Sequence, residues 1–120
     1  MDIKHMDSSM HRRLTGKSNK IILGNIQMAS SMLRDRGKSL VIRAVVIPRI
    51  NNGKNLSDLS DYLHSLPLVT MVELLPYHDY GMDKYRLLGR FYSLKSVEPP
   101  TVELMETYKK EIKLQGFVVA

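Results

Sequence analysis

Leu40-Val41-Ile42-Arg43-Ala44-Val45-Val46-Ile47, closed by Pro48, and Val69-Thr70-Met71-Val72-Glu73-Leu74-Leu75, closed by Pro76, are the stretches that decide the fold. Each is a short apolar run rich in β-branched residues and stopped by a proline, the pattern of a buried strand. Between them, after the turn-prone Asn51-Asn52-Gly53, Leu56, Leu59, Leu63 and Leu66 recur at helical spacing. Strand, helix, strand in that order predicts a βαβ unit, and with it a parallel sheet.

Working outward, Ile22, Ile26, Ala29 and Leu33 form one stripe of a helix that Ser18 can cap and Gly37 can end. Asp7 is placed to cap a shorter helical turn carrying Met10 and Leu14 and closed by Thr15-Gly16. The opening Met1-Asp2-Ile3-Lys4 reads as the tail of a strand. Towards the other end, Pro99-Pro100-Thr101 precedes a helix with Glu103 and Glu106 early and Lys109, Lys110 and Lys113 late, an order that matches the helix dipole. Gly116 stops it, and Phe117-Val118-Val119 is a candidate final strand. Tyr77 to Val97 is a long aromatic-rich connection without a clear period, and connections of that length are often functional.

A chain of 120 residues with 43% hydrophobic content is expected to form one domain over residues 1–120. No apolar run approaches the roughly 20 residues of a membrane span, and the N-terminus lacks the order of a signal peptide, so no membrane partner and a cytoplasmic location are expected. The absence of cysteine excludes disulfides, thiolate metal sites and cysteine catalysis within these residues. Eighteen Lys and Arg against twelve Asp and Glu give +6. Those cations are scattered without aromatic interleaving, and no nucleic-acid module is recognisable, so nucleic acid is not an expected partner.

In an α/β chain, ligands collect at the carboxyl ends of parallel strands. Asp2 and Lys4 share one face of an extended segment, Arg43 sits inside an apolar strand, and His78 follows the second strand. A carboxylate, an amine, a guanidinium and an imidazole on one rim suit a zwitterion such as an amino acid. Plainer readings stand beside this one: an ion pair of Arg43 with Glu73, a solvent-exposed loop histidine, and a frayed terminus at Asp2 and Lys4. His5, His11, His64 and His78 lack the paired spacing of a metal site, and no phosphate-loop, dinucleotide or nucleophile-elbow pattern occurs. No catalytic and no metal-binding residue is assigned.

Asp2-Ile3-Lys4-His5-Met6, His11, Thr15-Gly16-Lys17-Ser18-Asn19, Val41-Ile42-Arg43 leading to Val46-Ile47-Pro48, and Val72-Glu73-Leu74-Leu75-Pro76-Tyr77-His78 with Gly81, Lys84-Tyr85 and Leu88-Gly89 follow in order. Together they resemble the later part of pyruvate formate-lyase activating enzymes and related glycyl-radical activases. The resemblance covers nearly the whole chain, and E-L-L-P-Y-H-x-x-G-x-x-K-Y is its most specific part. It implies an open (β/α) barrel of the radical S-adenosylmethionine superfamily. Such an enzyme cleaves its cofactor reductively at a four-iron, four-sulfur cluster, and the resulting radical takes a hydrogen from a glycine of a partner enzyme. It also implies that Asp2, Lys4, Arg43 and His78 contact the cofactor, whose methionine part faces Asp2, Lys4 and His78.

Two departures qualify what the resemblance implies. The C-x-x-x-C-x-x-C loop that holds the cluster in the family has no counterpart, so the cluster belongs to a longer parent protein and not to this chain. The family's I-P-G-x-N-D turn reads Ile47-Pro48-Arg49-Ile50-Asn51-Asn52, which leaves its backbone and its role open. The expectation is therefore an α/β partial (β/α) barrel with few parallel strands and helices mainly on one face. It is the C-terminal part of an activase without its N-terminal cluster-binding half, inactive alone. The alternative is a cluster-free short relative acting as a binding or regulatory module. Expected partners are a glycyl-radical enzyme such as pyruvate formate-lyase, the missing N-terminal half, and a second copy of the chain through an exposed sheet edge or the inner face.

Overall fold

A computed structural model describes residues 1–120. The chain is α/β, with three parallel strands in one open sheet and five helices. In order they are β1 (Asp2–Ile3), α1 (Ser8–Thr15), α2 (Lys20–Asp35), β2 (Val41–Val46), α3 (Lys54–His64), β3 (Met71–Pro76), α4 (Met82–Leu87) and α5 (Val102–Leu114). The sheet order is β1-β2-β3, with every pairing parallel, as the βαβ pattern requires.

Strand alternation sorts the sheet into two unlike faces. Ile3, Ile42, Ala44, Val46, Val72 and Leu74 point into the core, where Ile26 of α2, Leu56, Leu59 and Leu63 of α3, and Met105, Tyr108 and Ile112 of α5 meet them. Burying each Val, Leu, Ile and Met side chain among these contributes roughly 1.5–3 kcal/mol, which makes this layer the principal source of stability. The other face carries Val41, Arg43 and Val45 of β2 with Met71, Glu73 and Leu75 of β3, all half-buried or exposed. Ile47 does not join that open face, although alternation from Arg43 predicts it. β2 ends at Val46, the chain turns, and Ile47 is buried with its N–H held by Asn51 Oδ1.

The capping expectations divide. Asp7 caps α1 by accepting from Met10 N–H and Gly16 closes it in the left-handed conformation, as expected, while Thr101, in a role not expected of it, caps α5 by accepting from Leu104 N–H. Gly37 takes φ 61 just beyond α2. Ser18 is not the cap of α2: Asn19 stands at that position, and its side chain is spent on the carbonyls of His5 and Met6. The side chain that α1 buries is His11, in place of the expected Met10 and Leu14. His11 Nδ1 lies 2.6 Å from the Lys17 carbonyl, which lets the ring fill an interior position. α4 lies in the connection that showed no period, because six residues without a buried side chain leave no apolar stripe. Val119 forms only an isolated parallel bridge with Val72, which covers the outer edge of β3 and leaves β1 as the open edge.

Candidate functional site

Parallel register sets a row of charges across the open face. Asp2 lies level with Arg43, and Arg43 lies level with Glu73. Arg43 Nε donates to Glu73 Oε2 at 2.5 Å, so the expected ion pair is present. Lys4, two residues beyond Asp2 and on the same side, lies with its Nζ 3.6 Å from Asp2 Oδ2. The side chains of Arg43, Asp2 and Lys4 are all about half exposed, at 55%, 56% and 42%, which keeps the pairs weak and exchangeable. Carboxylate, ammonium and guanidinium thus stand together on the face opposite the helices.

His78 is two residues past the end of β3, on the carboxyl rim, and its ring stacks on Tyr80 with centroids 4.3 Å apart. The row Asp2-Arg43-Glu73 crosses the sheet three residues below Pro76, about 10 Å down the strand. The structure therefore brings Asp2, Lys4 and Arg43 together and leaves His78 at the rim above them.

What holds this end of the sheet is a set of buried amides. Asn51 Oδ1 accepts from Ile47 N–H at 2.6 Å, while its Nδ2 donates to the carbonyls of Val45 and Lys4. Asn55 Oδ1 accepts from Met6 N–H, and its Nδ2 donates to the Asn51 carbonyl. Asn19 Nδ2 reaches the carbonyls of His5 and Met6. His5 Nδ1 accepts from Asp7 N–H, which assigns the proton to Nε2, where it donates to the Ile50 carbonyl. A strand of only two residues cannot fix the segment after it, so these side chains clamp residues 4–7 against the loop after β2 and set where Lys4 stands. The only sequence signal for this frame is the Asn51–Asn55 spacing at the start of α3, which reads as a turn followed by a helix.

The turn that departs from the family pattern has an unusual backbone. Arg49 takes φ 64, the left-handed conformation that costs glycine least. Asn52 Nδ2 donates to the Tyr108 hydroxyl at 2.8 Å, which joins the loop to α5.

The chain is 37% identical over 117 residues to the pyruvate formate-lyase-activating enzyme of Staphylococcus epidermidis, across 97% of this chain and 45% of that protein. This chain is related to part of the pyruvate formate-lyase-activating enzymes. The corresponding protein of Staphylococcus aureus is 36% identical with the same coverage. A solved domain of the pyruvate-formate lyase-activating enzyme from Bacteroides vulgatus has a TM-score of 0.75 and 25% identity, covering 99% of this chain and 63% of that one. The chain spans less than half the length of the curated relatives it matches. No family model matches.

The donor set bears unequally on the two cofactors that the sequence resemblance implies. No group of three or more His, Cys, Asp or Glu that could hold a metal ion is present, and no cysteine exists, so these residues do not fit an iron–sulfur cluster. Asp2, Lys4 and Arg43 do suit the ammonium and carboxylate of an amino-acid moiety, each able to exchange a present ion pair for a ligand contact. No helix is long and apolar enough to cross a membrane.

Proposed function

We propose that this chain is part of a radical S-adenosylmethionine activase that generates a glycyl radical on a partner such as pyruvate formate-lyase, and that it is inactive alone. Its contribution is one wall of the cofactor pocket. The observation that carries this reading is the row of exchangeable charges on the open face of a chain related to activating enzymes.

Asp2 faces the ammonium of the methionine moiety, while Lys4 and Arg43 take its carboxylate, Arg43 exchanging its pair with Glu73 for the ligand. His78 closes the site from the rim once its stack on Tyr80 is released. The bound cofactor supplies, when reductively cleaved at a cluster outside these residues, the radical that takes hydrogen from glycine. The half-buried Val41, Val45, Met71 and Leu75 exclude water from around the charges only when the rest of a barrel covers them.

The test is titration of the isotope-labelled chain with S-adenosylmethionine, followed by amide shifts at Asp2, Lys4 and Arg43. Binding weaker than about micromolar is expected, because one wall supplies only part of the contacts. Arg43→Met is expected to weaken it by about tenfold or more. An unchanged affinity in that variant rejects the clamp. Reconstitution with iron and sulfide is expected to leave no cluster absorbance after desalting; stoichiometric retention would overturn the assignment of the cluster to other residues.

A further inference from the structure

Of the twelve large apolar side chains that stand out in solvent, five lie between residues 80 and 91. Tyr80, Leu87 and Phe91 are the most prominent of them, at 83%, 83% and 85% exposure. Scattered exposed apolar residues are ordinary, but such concentration in one short connection marks an interaction surface. The connection is also anchored: Tyr77 and Tyr92 share a hydroxyl–hydroxyl hydrogen bond of 2.8 Å, and Tyr85 packs edge-on against Tyr92 at 5.1 Å. The exposed side chains are therefore presented from a fixed base.

The charge beside them is one-sided. An open cavity of about 370 Å³ is lined by Met82, Asp83, Arg86, Arg90, Phe91 and Lys95 among others. Asp83 is the one acid on it, and its carboxylate is engaged by Arg86 at 3.3 Å. None of the six ion pairs in the structure uses Arg90 or Lys95. A volume of that size suits one or two side chains of an approaching chain. The same connection reaches the rim at its start, where His78 stacks on Tyr80.

We infer that the connection from Tyr80 to Lys95 is the docking surface for an acidic peptide segment of a partner protein, with a carboxylate seated between Arg90 and Lys95 and an apolar side chain beside Phe91. The inference rests on the proposed function in naming that partner as the enzyme to be activated. Aromatic and arginine anchors around a pocket are the usual carriers of binding energy in such contacts. The stack of His78 on Tyr80 gives docking a direct route to the rim of the proposed cofactor site.

The experiment measures binding of the full chain to two probes: purified pyruvate formate-lyase, and a labelled synthetic heptapeptide of glutamate, leucine and phenylalanine. Phe91→Ala and the charge reversal Arg90→Glu are expected to weaken both by about tenfold or more, while Arg13→Glu on α1 leaves both unchanged. Raising salt from about 0.05 M to about 0.5 M should weaken the wild-type interaction. Binding of the peptide but not the enzyme, with the same variant pattern, supports the surface and removes pyruvate formate-lyase as the partner. Equal affinity of wild type and variants for either probe that binds overturns the surface while leaving the cofactor clamp intact. Failure of both probes to bind also overturns it.

Discussion

At Asn51 one buried side chain satisfies three backbone groups at once, the N–H of Ile47 and the carbonyls of Val45 and Lys4. Asn51→Ala leaves all three without a partner in the interior, a loss of about 2–4 kcal/mol. Denaturant unfolding should show a midpoint well below that of wild type; a loss under about 1 kcal/mol would mean that water replaces the amide. Arg49 is the opposite case. Its left-handed backbone carries a penalty of about 1 kcal/mol for a residue with a Cβ, so Arg49→Gly is expected to be neutral to stabilising by up to about 1 kcal/mol after glycine's larger unfolded entropy is counted. Destabilisation on that change would show that the arginine side chain itself holds the turn.

The connection after β3 owes its order to tyrosines more than to α4. Burial pushes the Tyr77 hydroxyl strongly above its ordinary 10.0, helped by the hydrogen bond and charge of Tyr92 and by the charge of Asp79. Burial raises Tyr62 in the same direction, its hydroxyl donating to the Leu23 carbonyl that links α3 to α2. Below the unfolded value both states hold the proton and the stabilisation is complete. Above pH 10 the unfolded chain releases protons that the folded chain keeps, so stability falls as pH rises, by up to about 1.4 kcal/mol per pH unit for Tyr77 and by less for the half-buried Tyr62, which solvent screens. Urea midpoints from pH 8 to 11 should decline steeply at the alkaline end, and Tyr77→Phe should flatten part of that decline. An unchanged slope would show that Tyr77 ionises as readily folded as unfolded.

As a whole the molecule is a slab of 47 × 31 × 22 Å. Its radius of gyration, 15.2 Å, exceeds the about 13.5 Å typical of a compact domain of this length. One face of the sheet is sealed by helices; the other shows Val41, Val45, Met71 and Leu75 around the charged row, and β1 offers unpaired backbone groups along its outer edge. Covering that face contributes on the order of 1 kcal/mol per half-buried side chain. Self-association that grows with concentration is therefore expected in sedimentation velocity, and Val45→Asp should suppress it without disturbing the core. A monodisperse monomer at high concentration would show that the charged row already protects the face.

Periodicity and punctuation by themselves determined the three parallel strands, the helix between β2 and β3, the capped ends of α1, the placement of α5 between Thr101 and Gly116, and the placement of Asp2 and Lys4 on one side, because those properties follow from local spacing and strand alternation. Only the tertiary structure decided the rest. Whether Arg43 meets Glu73 depends on register between strands thirty residues apart. The burial of His11, the amide frame of Asn19, Asn51 and Asn55, and the separation of His78 from the charged row depend on which distant backbone groups need partners once the layers close. α4 was illegible for the complementary reason: it buries nothing, so no apolar period was ever selected to announce it.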